Sequence, residues 1–330
     1  MTTWTITPAR LFRAGILMAC AAAACMSAGA AEGDAGKPAR IVVGFPPGQA
    51  TDQVARVLAD GFAATGRSWI VENKPGQGGS LALGAVARSP GDGSVAALAA
   101  VAAYAINPWI YKSVPYDTLR DLAPVGTVAD LPFVLVVHPS NPAATSQDLV
   151  AQVAQSPGKF SYSSSGNGTL SHLLMEDLKK RAGLQMVHVP YQGSARSLSD
   201  LVAGNVHVAL ETLGAALPLI RGGRLKVLAV GTTKRLAAFP DVPTLAESGF
   251  PGFEAVAWIA VSVPAGTPAS AREKMNADLR ALLSKEEVVA KLNAIGAFPR
   301  TGSVQEFDGL MKSEFVRWRS VVQEIGWMPE

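Results

Sequence analysis

The chain reads as an α/β protein, with a sheet expected to be parallel and covered by helices on both faces. Three observations predict this. Short apolar runs alternate with stretches of helical spacing along most of the sequence. The alternation falls into two sets, followed by a helical tail. The 330 residues are enough for two domains of about 100–200 residues each. Composition agrees: 48% hydrophobic and 17% charged residues exclude intrinsic disorder. The 32 glycines and 22 prolines follow no strict period, so a collagen-like chain is excluded. Net charge is +3, and Lys and Arg are scattered without the basic stripe that nucleic-acid binding requires.

The first 30 residues stand apart. Arg10 and Arg13 precede an apolar stretch from Ala14 to Cys25, and Ala28-Gly29-Ala30 follows. This basic, apolar, small-residue order predicts a secretory signal peptide over 1–30, cut between Ala30 and Ala31. The apolar stretch is shorter than the roughly 20 residues of a membrane span. A retained anchor and a lipid on Cys20 are the alternatives, but Met18 departs from the usual lipoprotein signal. Cleavage removes both arginines, giving a net charge of +3 − 2 = +1, and both cysteines, Cys20 and Cys25. The exported chain is expected to have no disulfide.

In the first set, Ile41-Val42-Val43-Gly44-Phe45 reads as a buried strand ending at Pro46-Pro47-Gly48. Val54, Leu58 and Phe62 then line one face of a helix, with Thr51 or Asp52 as its N-cap. Trp69-Ile70-Val71 is the next strand, 75–80 a loop, and Ser80 the expected cap of a helix over 81–87. A third strand covers 95–101. In the second set, strands are expected at 133–137, 160–163, 186–189, 206–210 and 225–230. Helices fall at 147–155, 171–181, 195–202 and 215–220. The tail has a strand at 260–263 and three capping-box patterns, Ser270 with Glu273, Ser284 with Glu287 and Ser303 with Glu306. The last helix places Phe307, Met311, Trp318 and Val322 on one face, which reads as packing.

Most catalytic signatures are missing. No nucleophile elbow, Walker loop or complete G-x-G-x-x-G occurs, since Leu81 stands where a third glycine belongs. His138, His172, His188 and His207 are too widely spaced for a local zinc motif. No metal or cofactor is expected. Three glycine-rich loops leading into helices remain: 46–52, 75–80 and 164–171. Each presents first-turn N–H groups, the elements of an anion site. Ordinary turn chemistry accounts for such loops as well.

A series of short motifs is more specific. Ile41-Val42-Val43-Gly44-Phe45-Pro46-Pro47-Gly48, with Asp52, Ala55 and Arg56 following, resembles the first signature of the Bug receptors. These are periplasmic substrate-binding proteins of tripartite tricarboxylate transporters. Val71-Glu72-Asn73-Lys74-Pro75-Gly76-Gln77-Gly78-Gly79 is similar to the second signature. Val114-Pro115-Tyr116-Asp117, Ser165-Gly166-Asn167-Gly168-Thr169, His188-Val189-Pro190-Tyr191-Gln192-Gly193, Pro240-Asp241-Val242-Pro243-Thr244 and Pro264-Ala265-Gly266-Thr267-Pro268 continue the series in family order.

The resemblance implies a two-lobed periplasmic binding protein, type II-like, with its ligand in the cleft. Residues 31–135 plus 256–330 would form one lobe and 136–255 the other, with crossings near Val136 and Glu254. By family pattern, the loop after the first strand grips a carboxylate with backbone amides and ordered water. Here that loop holds Phe45, Pro46, Gly48, Gln49, Ala50 and Asp52, and Gln49 replaces the usual second glycine. The opposite lobe would supply Ser165, Gly166, Asn167, Gly168, Thr169 and His172, with Tyr191 and Glu211 at strand ends facing the cleft. Asp52 reads equally as an N-cap of its own helix, and His172 as a satisfied structural histidine. The expected function is capture of a small organic carboxylate by a monomer and delivery to membrane transporter subunits. A ligand-sensing subunit and an exported α/β hydrolase are the rivals. The three loops contain no arginine, so the carboxylate is expected to lie on backbone amides without an arginine clamp.

Overall fold

The computed structural model describes residues 39–329 except 65 and 67, together with the first two residues. The expected signal peptide, its cleavage site and both cysteines therefore lie outside the described residues, apart from Met1 and Thr2. From the start of its first strand onward the described chain is one compact unit.

The first half-sheet begins with β1 (Ala39–Val43), paired in parallel with both β2 (Trp69–Asn73) and β3 (Val95–Ala100). Helix α1 (Ala50–Ala63) connects β1 to β2, and α2 (Ser80–Ala87) connects β2 to β3. Val54, Ala55, Leu58 and Phe62 of α1 are buried, the face that their spacing predicts. A π-helical turn, Ala102–Ile106, then runs into the short helix α3 (Asn107–Ile110).

The next strand, β4 (Leu122–Val137), organises the fold. Its first part pairs antiparallel with β9 (Val256–Pro264), as far as Pro132 opposite Val256. From Phe133 onward it pairs antiparallel with β7 (Val208–Thr212) and β8 (Lys226–Val230). One strand thus belongs to both half-sheets. Sequence patterning predicts only its end, because Pro124, Gly126 and Pro132 punctuate the rest. The register shifts between Pro124 and Gly126 and again between Thr127 and Ala129 absorb the irregularity. In the second part, side chains alternate: Val134 and Val136 enter a smaller core, and Phe133, Leu135 and Val137 the larger one.

The second half-sheet is completed by β5 (Ser161–Ser164), parallel to β7, and β6 (Val187–Pro190), parallel to β5. Helices α4 (Ser146–Gln155), α5 (Leu170–Ala182), α6 (Ser194–Val202) and α7 (Leu213–Arg221) serve it. The sheet is therefore mixed: the expectation of a parallel sheet fails at β4 and β9, which run against their neighbours. The fold is α/β and two-lobed, with order β2-β1-β3-β9-β4-β7-β5-β6 among the described strands.

After β9 the chain adds α8 (Ala269–Leu283), α9 (Glu286–Ala294), the short β10 (Phe298–Pro299) against β4, and α10 (Val304–Glu324). One of the three expected capping boxes forms: Ser303 accepts from the Glu306 N–H, and the Glu306 carboxylate accepts from the Ser303 N–H. The other two helices start at Ala269 and Glu286, with Pro268 and Lys285 at their N-caps, so Ser270 and Ser284 stand outside the capping position. Ser80 is likewise the first residue of α2, and Gly79 is its cap. Phe307, Met311, Trp318 and Val322 are buried, as packing requires. Tyr104 stacks on Trp258 and meets the edge of Phe307, tying α10 to the sheet.

Candidate functional site

The loop after β1 is shaped by one close approach and one buried acid. A Cβ on Gly44 would stand 2.3 Å from the Gly79 Cα, so the loops after β1 and β2 touch only because Gly44 lacks a side chain. Asp52 is the third residue of α1, not its N-cap, which is Gln49. Its carboxylate accepts from the Gly48 N–H at 2.8 Å, from the Asn73 amide at 2.8 Å, and from the Arg56 guanidinium through Nε at 2.9 Å and Nη2 at 3.0 Å. Burial acts to raise its pKa, but the bonds from Arg56, Gly48 and Asn73 outweigh that and hold it low. The same Asn73 amide also donates to the Phe45 carbonyl. Asp52 is thus a brace for the loop, the N-terminal acid of its own helix. The Gly48 N–H is occupied by this brace. The first-turn amides of α1, from Ala50 to Asp52, have no carbonyl within the helix to bond.

The opposing loop is equally organised. The Ser165 N–H donates to Ser171 Oγ, the Thr169 hydroxyl to the Gly166 carbonyl, and the Gly168 N–H to His172 Nδ1. His172 lies face-on against His188, which stacks on Tyr162. Burial lowers the pKa of both rings, that of His188 to about 4. His172 therefore serves the loop from behind. Asn167 is exposed at the loop tip, and Gly168 is buried. Thr169 caps α5, whose first amides point out of the loop.

The 190–194 segment joins this loop: the Tyr191 N–H donates to the Ser164 carbonyl, and the Gly193 N–H to the Ser165 carbonyl. The Tyr191 hydroxyl donates to Asp200 at 2.6 Å, so it is turned toward α6. Burial, then Asp200, pushes its pKa up to about 12. Gly193 is the N-cap of α6, with φ 101° and ψ 159°, a conformation open essentially to glycine alone. Glu211, at the end of β7, is buried, and its Oε2 accepts the Ser194 hydroxyl at 2.7 Å. Burial pushes its pKa up to about 7.

Two contacts bring the loops of the two half-sheets together. A Cβ on Gly193 would stand 3.6 Å from the Gln49 amide nitrogen, so the caps of α1 and α6 meet. A Cβ on Gly168 would stand 2.8 Å from Ile110 Cδ1 and 3.6 Å from Trp327 Cζ2. Trp327 also packs edge-on to His172 and donates its indole N–H to the Ile110 carbonyl. Ile110, Asn73, Trp327 and Ser194 were not foreseen as parts of this arrangement. Asn73 lies inside a quoted motif, whereas the remote Ile110 and Trp327 carry no local signal. Among the described residues, no group of three or more His, Cys, Asp or Glu is placed to hold a metal ion. No helix among them is long and apolar enough to cross a membrane.

A mixed α/β fold of two lobes, with glycine-rich loops of both half-sheets meeting between them, defines the class of solute-binding receptors. The chain belongs to the tripartite tricarboxylate transporter receptor family, whose model matches residues 54–327. It is 36% identical over 292 residues to the protein BugT of Bordetella pertussis, covering 88% of this chain and 90% of that one. The solved structure of Rpa4515 from R. palustris with adipate shares 34% identity, with a TM-score of 0.81 over 89% of this chain and 98% of that one. MatC from Rhodopseudomonas palustris with bound malate shares 27% identity, with a TM-score of 0.76 over 86% and 98%.

Proposed function

We propose that this receptor captures a small organic carboxylate in the periplasm and hands it to the membrane subunits of a tripartite tricarboxylate transporter. The contact between Gln49 and Gly193 carries the reading. It brings the side chain of the α1 N-cap to the N-cap of α6, which is itself bonded to the loop that leads into α5. First-turn amides from several helices then converge where a carboxylate needs donors, and the helix dipoles favour its charge. Each such charge-assisted bond contributes roughly 1.5–3 kcal/mol. Arg56 is already committed to Asp52, so no cation is needed.

In this reading, lobe 1 comprises 31–135 and 256–330, and lobe 2 comprises 136–255. Phe45, Pro46, Gly48 and Asp52 shape one wall, with Gln49 and the Ala50 amide toward the ligand. The other wall is the 165–169 loop, backed by His172 and Tyr191, with Glu211 deeper in. The exported form lacks residues 1–30 and works as a monomer that binds without turnover. Adipate and malate, held by the two neighbouring proteins, are the first ligands to try. Native mass spectrometry of the purified receptor and calorimetry with both acids test the proposal. Binding of a carboxylate in a 1:1 complex is expected. Hydrolysis of model esters, or no affinity for any organic acid in a broad panel, would overturn it.

A further inference from the structure

Half of one buried carboxyl group is unaccounted for. Glu211 is 1% exposed, and its Oε1 has no hydrogen-bond partner among the described residues. Its Oε2 is held by Ser194, the first residue of α6, which follows the Gly193 that meets Gln49 from the other lobe. The carboxyl is therefore one hydrogen bond from the place where the two lobes touch.

We infer that Glu211 is a proton-carrying specificity residue: its neutral carboxyl donates an O–H to an oxygen of the bound acid, so the receptor takes up a proton from solvent as it binds and prefers a dicarboxylic or hydroxy acid to an amino acid. The inference rests on the carboxylate reading of the cleft. A neutral carboxyl has a donor that must find an acceptor, and a buried donor without one is costly. The Thr212 amide can only donate to Glu211, and with the Ser194 hydroxyl donating to Oε2 the carboxyl proton sits on Oε1, which has no acceptor among the described residues. A ligand oxygen would meet it.

The surroundings favour the neutral form. Burial drives the pKa up, and the hydroxyls of Ser194 and Ser197 and the Thr212 amide offset it only in part, leaving it at about 7. The elements packed against β7 bring other ionisable groups, and most have partners elsewhere. Asp130 of β4 pairs with Arg300, and Tyr162 of β5 and Lys179 of α5 both bond Glu176. His172 of α5 accepts from Gly168, and Asp200 of α6 accepts from Tyr191. Arg196 of α6 and Arg221 of α7 are exposed. No protein cation is thus bonded to Glu211 among the described residues. A ligand ammonium would have to ionise it against its burial, whereas a ligand carboxylate adds negative charge and strengthens its hold on the proton.

The test is titration calorimetry with adipate and with malate between pH 6.5 and 8.5, each in phosphate and in Tris. The difference in heat between the buffers counts protons. For the wild type, net uptake of a fraction of a proton and about tenfold weaker binding at pH 8.0 than at pH 6.5 are expected. In Glu211→Gln the uptake and the pH dependence disappear. The wild-type measurement stands by itself if that variant fails to fold. Binding with no proton uptake, or with release, overturns the inference and leaves the carboxylate reading intact. Failure of the wild type to bind any acid of the panel, at any of these pH values, overturns both.

Discussion

His172 and His188 lie face to face, with ring centroids 3.7 Å apart. His172 comes from α5 and His188 from β6, and each supports the 164–169 loop: His172 Nδ1 accepts the Gly168 N–H, and His188 Nε2 lies 2.6 Å from Ser164 Oγ. Two imidazoles this close cannot both be charged without strong repulsion, and burial opposes even one charge.

This stack predicts acid sensitivity. Both pKa values are lowered in the folded state, that of His188 to about 4, so the unfolded chain binds more protons below the ordinary histidine value. The stability contributed by neutral rings is complete above about pH 6.5 and is lost as pH falls toward 4. Urea midpoints of the wild type and His188→Gln, measured between pH 4 and 7.5, test this. The wild type should lose about 1–2 kcal/mol relative to the variant over that range, allowing for partial exposure. Parallel pH profiles would refute the role of the stack.

Asp52→Ala should cost about 1–3 kcal/mol of stability, because it removes the buried carboxylate that accepts the part-buried hydrogen bonds of Gly48, Asn73 and Arg56. Ligand affinity should fall with it, since the loop loses its brace. Arg56→Gln should cost about 1 kcal/mol or less, because that side chain is half exposed. Denaturation with each variant and calorimetry with adipate check the pair. A larger effect from Arg56 on affinity would mean that the guanidinium binds ligand directly.

Gly193→Ala forces a residue with a Cβ into a glycine conformation and pushes that Cβ toward the Gln49 amide. A loss of about 1–3 kcal/mol in stability is expected, with weakened binding. Gln49→Gly removes the contact without strain, so stability should change by about 0.5 kcal/mol or less while the preference among acids of different length shifts. An unchanged preference would show that Gln49 is a spectator. At Gly48, a Cβ would meet open space, so the cost of Gly48→Val comes from its φ of 86° and the resulting movement of the loop.

Closure of the lobes is expected to accompany binding, because a ligand lying on both loops binds the closed form better. Small-angle scattering with saturating adipate should give a smaller radius of gyration than the free receptor. An unchanged radius, with binding verified by calorimetry in the same sample, would exclude bridging.

Local elements and family membership are legible in the residue order alone. The periodicity of Val54, Leu58 and Phe62 made a helix with one buried face, and the motif series from Ile41 to Pro268 pointed to a two-lobed receptor. Those signals are short-range, set by spacing and turn chemistry. Long-range packing settles the remaining features. The full length of β4 was hidden because its prolines and Gly126 are tolerated only where bulges and two successive partner strands accommodate them. Capping by Ser270, Ser284 and Ser80 failed because hydroxyl spacing does not fix where a helix starts once packing has chosen its first turn. The pairings of Gln49 with Gly193, Asp52 with Asn73, and Glu211 with Ser194 join residues distant in sequence. Whether a buried acid braces a loop or keeps its proton depends on which donors and charges surround it, and folding alone supplies those neighbours.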